Sequence, residues 1–121
     1  MNLLITGCCG HIGSYLVDNI HKIKKIRKCF IVDNFDSTQI NSLFNSKKKN
    51  NLKFYNLDLT KKSSLSDFNK IDYVVHLASM TNAAGSFNKK NEMYKNNIDC
   101  MKNIIEFSKK KKIKVNTYFF N

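Results

Sequence analysis

Proline and tryptophan are absent from this 121-residue chain, and arginine occurs once, at Arg27. Lysine, asparagine, isoleucine and phenylalanine are abundant in their place, a mixture that reads as the codon bias of an AT-rich coding sequence. Basic residues outnumber acidic ones 21 to 9, for a formal net charge of +12. Nucleic-acid readers lean on arginine, whose planar fork makes bidentate contacts. With Arg27 alone, the charge reads as solvated lysine runs, Lys47-Lys48-Lys49 in a loop and Lys109 to Lys112 at a helix end where cations suit the dipole. The general positive field should still attract phosphorylated ligands. No apolar run reaches the ~20 residues of a membrane span, so no membrane partner is expected. The N-terminal apolar stretch has no basic segment before it and leads straight into a glycine-rich turn, so it is not expected to be a signal peptide. The four cysteines, Cys8, Cys9, Cys29 and Cys100, are therefore expected as reduced thiols in a cytoplasm. The length fits one domain, able to bury roughly two-thirds of its unfolded surface.

Apolar runs alternate with helical patterns along the whole chain. Strands are predicted at Leu3–Thr6, Cys29–Val32 (ending at Asp33), Leu52–Leu57, Asp72–Leu77 and Val115–Phe120. From His11, the spacing of Ile12, Leu16 and Ile20 with Val17 and Ile23 marks a helix face. Ser37–Phe44 reads as a short helix with Ser37 in the capping position, and a second short helix starts at Thr60 or Ser63 and runs through Leu65 and Phe68. Lys47–Asn51 and Ala78–Asn91 read as loops. A long helix is predicted from Glu92 to about Lys110, with Tyr94, Ile98, Met101 and Ile105 on one stripe. This rhythm predicts an α/β fold: a Rossmann-type parallel sheet of about five strands with right-handed crossovers and flanking helices, incomplete at its C-terminal edge.

Four features carry the chemistry. In Gly7-Cys8-Cys9-Gly10-His11-Ile12-Gly13 a strand runs through a glycine turn into a helix. Such a turn bends sharply at its first glycine, brings backbone close to a pyrophosphate at its second, and packs helix on strand at its third. The helix N-terminus then faces the anion. Asp33 closes the second strand, 20 residues after Gly13, where a dinucleotide site needs an acid for the adenosine ribose hydroxyls and against the extra phosphate of NADP. No lysine or arginine follows it directly, which favours NAD. Asp58 is either a turn aspartate or an acceptor for an adenine amino group with Leu59 packed on the ring. In His76-Leu77-Ala78-Ser79, small residues would let a cofactor pass close to the backbone, and His76 reads as a buried, hydrogen-bonded strand-end histidine rather than a catalyst. Cys8, Cys9 and His11 raise the question of a metal. Adjacent cysteines hold one ion awkwardly and no second pair stands at ligand spacing, so no metal is expected.

Together these residues resemble the extended branch of the short-chain dehydrogenase/reductase superfamily, in particular the NAD-dependent epimerase/dehydratase family of nucleotide-sugar enzymes. The similarity rests on Thr6 to Gly13, Val32-Asp33-Asn34, Asp58-Leu59-Thr60, His76-Leu77-Ala78, and Asn97 to Asn103 against the family's Asn-Val-x-Gly-Thr-x-Asn helix. The resemblance implies that Gly7, Gly10, His11, Ile12 and Gly13 hold the pyrophosphate, Asp33 and Asn34 the ribose, and Asp58 and Leu59 the adenine. Leu77, Ala78 and Ser79 would line the nicotinamide side, with Asn97 supporting the site.

Departures bear on function. Cys100 and Met101 replace the usual Gly-Thr, and Lys61 stands where the family often has a second acid. The family's Tyr-x-x-x-Lys pair, which exchanges a proton with the sugar, has no counterpart: the residues four positions after Tyr15, Tyr55, Tyr73 and Tyr94 are Asn19, Leu59, Leu77 and Ile98. The segment Val115–Asn121 matches the family poorly. The expectation is an NAD(H)-binding N-terminal portion of an epimerase/dehydratase-type enzyme, without catalytic residues of its own, meeting a sugar nucleotide only in a full-length enzyme. A free-standing NAD-binding sensor module and a basic nucleic-acid-binding domain are the alternatives. The apolar last strand is expected to self-associate through residues 115–120.

Overall fold

The computed structural model describes residues 1–35, 51–80 and 89–117, the last four of these through their backbone alone. The expected Ser37–Phe44 helix, most of the Lys47–Asn51 and Ala78–Asn91 loops, and residues 118–120 of the self-association segment lie outside the described residues.

Five short strands form one parallel sheet in the order β3-β2-β1-β4-β5. They are β1 (Asn2–Thr6), β2 (Lys28–Asp33), β3 (Leu52–Asn56), β4 (Tyr73–His76) and β5 (Lys114–Thr117). Helix α1 (His11–Asn19) crosses from β1 to β2, and α2 (Lys90–Lys111) from β4 to β5. Each predicted strand is present: β1, β2 and β5 start one residue earlier than predicted, β3 ends one residue sooner, and β4 is shorter by one residue at each end.

The strand period of two divides the apolar residues between two cores. Leu3 and Ile5 join Val17, Ile20, Ile26, Cys29 and Ile31 on the α1 face. Leu4 joins Val32, Val74, Leu59, Leu65, Phe68, Ile104 and Phe107 on the α2 face. β1 is thus buried on both sides, as the central strand of a parallel sheet must be. Under α2 the rings of Phe30, Tyr55 and Phe68 pack together with centroids 4.9–6.2 Å apart.

Two helix expectations need correction. α1 ends at Asn19 and tightens into a 3-10 turn at Ile20–Lys22, so the predicted face does not extend to Ile23. Val17 and Ile20 are buried, but Ile12 in the first turn and Ile23 beyond the last are each 44% exposed, and Ile26 enters the core instead. The reason is the short crossover: the chain must turn back toward β2 after two and a half helical turns. On α2 the buried face is Cys100, Asn103, Ile104, Phe107 and Ser108, not the predicted stripe. Tyr94 is 68% and Ile105 39% exposed. The helix is apolar on two adjacent faces, and the sheet selects the one on which Asn103 can donate to the carbonyls of Leu59 (2.8 Å) and Thr60 (2.9 Å). The short helix expected after Thr60 is a single 3-10 turn, Lys62–Leu65. α2 ends through Lys112 in the left-handed region (φ 54°), with the Lys112 and Ile113 N–H groups donating back to Lys109 and Ser108.

Candidate functional site

In-register parallel pairing aligns the carboxyl ends of the strands. Thr6 pairs with Val32 and with His76, and Asp33 pairs with Asn56. Gly7, Asp33, Asp58 and Leu77 to Met80 therefore emerge along one edge of the sheet, the edge at which open α/β sheets take ligands.

The three glycines have separate physical reasons. Gly7 holds φ +73°, and a Cβ there would lie 2.5 Å from the Ala78 nitrogen. A Cβ on Gly13 would fall on the Gly7 carbonyl oxygen and 2.7 Å from the Cys8 Cα. These two glycines bring turn, helix and the end of β4 into contact. Gly10 differs: its φ of −69° and ψ of 166° suit any residue, and a Cβ would meet only the Gly7 oxygen, at 3.5 Å. Gly10 keeps side-chain bulk out of open space beyond the turn. It is also the N-cap of α1, with no capping side-chain hydrogen bond and no acidic residue in the first turn, so the positive end of the helix dipole is left unneutralised by its own side chains. His11 and Ile12, in that first turn, are exposed.

Asp33 is held by the turn it serves. Its Oδ2 accepts from the Cys9 N–H at 2.8 Å and its Oδ1 from the Phe35 N–H at 3.1 Å. The carboxylate is half-buried, next to Asn34. Cys8 and Cys9, both buried, sit below it, and the two sulfurs and an Asp33 carboxylate oxygen all lie within 4.8 Å of one another. Burial raises both thiols, Cys9 to about 11 and Cys8 further, with the neighbouring Asp33 charge acting the same way. His11 does not join this group.

Asp58 organises its own turn. Its Oδ1 accepts from the Thr60 hydroxyl (2.6 Å) and N–H (3.0 Å), and its Oδ2 faces Lys61 at 3.8 Å. The Thr60 bonds, chiefly the hydroxyl's, hold the carboxyl below its usual range. Leu59 is buried in the core under α2. On the other side of β1, Thr6 Oγ1 lies 2.6 Å from His76 Nδ1 and accepts from the Ala78 N–H at 3.4 Å. The hydroxyl proton is thus assigned to the histidine, leaving Nδ1 an acceptor and the ring proton on Nε2. Burial pushes the His76 pKa down to about 4, in keeping with a neutral structural ring. Beyond Leu77, Ala78 and Ser79, the Asn97 amide accepts the Met80 N–H (2.7 Å) and donates to the Met80 carbonyl (3.0 Å), clamping the chain as it leaves β4.

All thirteen residues expected at the site lie on the described segments, but the Leu59 side chain, expected to pack on an adenine ring, is buried in the core under α2 instead. The supporting contacts of Thr6, Cys9, Thr60, Met80 and Asn103 were not anticipated. One signal was available for Thr6: it is a polar residue closing an apolar strand beside a histidine closing another.

An open parallel sheet whose central strand feeds a glycine turn, with a carboxylate closing the next strand, defines a Rossmann-type unit. The model of the NAD dependent epimerase/dehydratase family matches residues 3–121. The chain belongs to that family. It is 35% identical over 116 residues to a dTDP-D-glucose 4,6-dehydratase of Dictyostelium discoideum, covering 93% of this chain and 27% of the relative. It is 33% identical over 103 residues to a UDP-glucose 4-epimerase of Yersinia enterocolitica, covering 81% and 30%. The crystal structure of a UDP-glucose 4-epimerase superposes with TM-score 0.79 at 26% identity, over 97% of this chain and 35% of that one. A dTDP-glucose 4,6-dehydratase from Streptomyces venezuelae, solved with NAD bound, superposes at TM-score 0.85 over 95% and 38%; at 19% identity that likeness shows the fold. The chain thus spans about a quarter to a third of the length of these curated relatives. Among the described residues no helix is long and apolar enough to cross a membrane.

Proposed function

We propose that residues 1–121 form one NAD(H)-binding domain, the cofactor-holding part of a nucleotide-sugar epimerase or dehydratase. The observation that carries this reading is the cradle at Gly10: open space above a glycine, at an uncapped helix N-terminus, beside a carboxylate tied to the same turn. The residues fit the cofactor. Gly7, Gly10, His11, Ile12 and Gly13 would hold the pyrophosphate through backbone N–H groups and the α1 dipole, worth about 0.3–1 kcal/mol for the dipole alone. Asp33 and Asn34 would receive the ribose, Asp33 with its second oxygen steadied by Phe35. Asp58 would meet the adenine, with Leu59 buried in the core beneath that turn. Leu77, Ala78 and Ser79 line the nicotinamide side, where Asn97 fixes the backbone through Met80. Bound NAD would take up and return a hydride at a sugar carbon.

Asp33 also sets the choice of cofactor, since a fixed carboxylate repels a 2′-phosphate. The sequence contains no Tyr-x-x-x-Lys, so we infer that these residues bind cofactor without turning over a sugar nucleotide. Calorimetric titration of the 121-residue chain tests both points. NAD should bind at least tenfold more tightly than NADP, and Asp33→Asn should narrow that ratio. Equal affinity for the two, no saturable NAD binding, or turnover of a UDP- or dTDP-sugar would overturn the reading.

A further inference from the structure

The thiol pair beneath Asp33 is not among the residues assigned to the dinucleotide. From the sequence no metal is expected here, because adjacent cysteines hold one ion awkwardly and no second pair stands at ligand spacing. Cys8 and Cys9 are not extended: they lie in the turn between β1 and α1. There both sulfurs and an Asp33 carboxylate oxygen occupy a sphere in which no pair is more than 4.8 Å apart. A tetrahedral ion with bonds of about 2.3 Å to sulfur needs sulfur atoms about 3.8 Å apart. The required closure is therefore about 1 Å or less, within the reach of side-chain rotation.

We propose that Cys8, Cys9 and Asp33 form a site for a thiophilic divalent cation, zinc or cadmium, whose occupation excludes NAD from the ribose end of the cleft. The donor set selects the ion class. Two thiolates and one carboxylate suit a closed-shell tetrahedral metal with one position left for water, whereas magnesium and calcium require a shell of oxygens. Bare thiolates are costly in this layer, where Cys8 and Cys9 pack with Ile5, Val17 and Ile31, so without metal both sulfurs keep their protons. On binding, both S–H protons pass to solvent, two metal–sulfur bonds and one metal–oxygen bond form, and the dication replaces the two protons, so the site keeps a net charge of −1. Half-exposed Asp33 is the way in. The same carboxylate cannot ligate the ion and accept ribose hydroxyls in its usual pose, hence the exclusion; only this competition rests on the cofactor reading above.

The test is titration of the full 121-residue chain, fully reduced, with Cd2+, followed by the ultraviolet thiolate-to-metal charge-transfer band, and repeated with Zn2+ in competition. One equivalent should saturate the band. It should be lost in Cys8→Ser and in Cys9→Ser, survive in Cys29→Ser/Cys100→Ser, and require at least tenfold more metal in Asp33→Asn. Circular dichroism checks folding, and Cys9→Ala replaces any serine variant that fails to fold. No band, or a band that survives in the folded Cys8 and Cys9 variants, overturns the site. Bound Zn2+ should raise the apparent NAD Kd at least tenfold, and simultaneous binding without competition refutes the exclusion. A cysteine-dependent band in a chain that binds no NAD leaves the metal site standing and sinks the cofactor reading; NAD binding without the band does the reverse.

Discussion

Alanine at each of two glycines of the turn separates what folds the domain from what it binds. In Gly13→Ala the new methyl falls on the Gly7 carbonyl oxygen and 2.7 Å from the Cys8 Cα, backbone atoms that cannot step aside. Overpacking of this kind costs about 3 kcal/mol or more, which at this chain length lowers Tm by about 10 °C or more. In Gly10→Ala the methyl meets nothing nearer than the Gly7 oxygen at 3.5 Å, on a backbone at φ −69°. The poorer N-cap costs a few tenths of a kcal/mol, and the stiffer unfolded chain returns about as much. Stability should hold within about 0.5 kcal/mol, or about 2 °C in Tm. Binding should not hold. A methyl above Gly10 pushes a pyrophosphate off the first N–H groups of α1, and each charge-assisted hydrogen bond so lost is worth about 1.5–3 kcal/mol. NAD affinity should fall between about tenfold and several hundredfold. Paired thermal melts and calorimetric titrations on both variants decide it. A folded Gly10→Ala chain that binds NAD as the parent does would refute the placement of the phosphates; a Gly10→Ala chain as unstable as Gly13→Ala would refute the geometry itself.

Three other outcomes are expected. His76 titrates near 4 when folded and near its ordinary value when unfolded, so the unfolded chain binds more protons between those pH values. Its contribution is intact above about pH 6.5 and declines by up to about 3 kcal/mol as pH falls toward 4; urea midpoints across that window should show the slope, and His76→Asn, which can still accept the Thr6 hydroxyl, should flatten it. Asn103→Ala removes a buried bond to the Leu59 carbonyl and a partly buried one to the Thr60 carbonyl and should cost about 2–3 kcal/mol, read as a drop in urea midpoint with unchanged slope. β5 lies at the edge of the sheet, so the 121-residue chain should self-associate through residues 115–120; light scattering showing a monomer at high concentration would count against that.

Much of the fold was legible because its signals are local. Buried parallel strands demand short apolar runs, and Leu3–Ile5, Phe30–Val32 and Val74–Val75 are such runs. The glycine turn was legible because backbone-to-backbone approach admits no other residue at positions 7 and 13. Asp33 could be placed because strand length and turn length together set where an acid emerges. The α2 face was not legible in the same way. Tyr94, Ile98, Met101 and Ile105 make as good a stripe as Cys100, Ile104 and Phe107, and what decides between them is a hydrogen bond from Asn103 to a turn 43 or more residues earlier. The grouping of Cys8, Cys9 and Asp33 was hidden for a related reason: it depends on the rotation of a turn, which residue spacing does not encode.

β1 leaves the ribosome before every element that supports it. Cys9 waits 24 residues for Asp33, and Thr6 waits 70 for His76. At synthesis rates of about 5–20 residues per second, the second interval lasts about 4–14 s. For that time the apolar triplet Leu3-Leu4-Ile5 has β2 beside it at most and no strand on its other edge. An unpaired apolar strand is a template for any other, and the hazard that folded proteins manage at their sheet edges is present here in a nascent one. The architecture that places the turn at the centre of the sheet therefore leaves β1 without its second neighbour until residue 78 is free to close against Gly7.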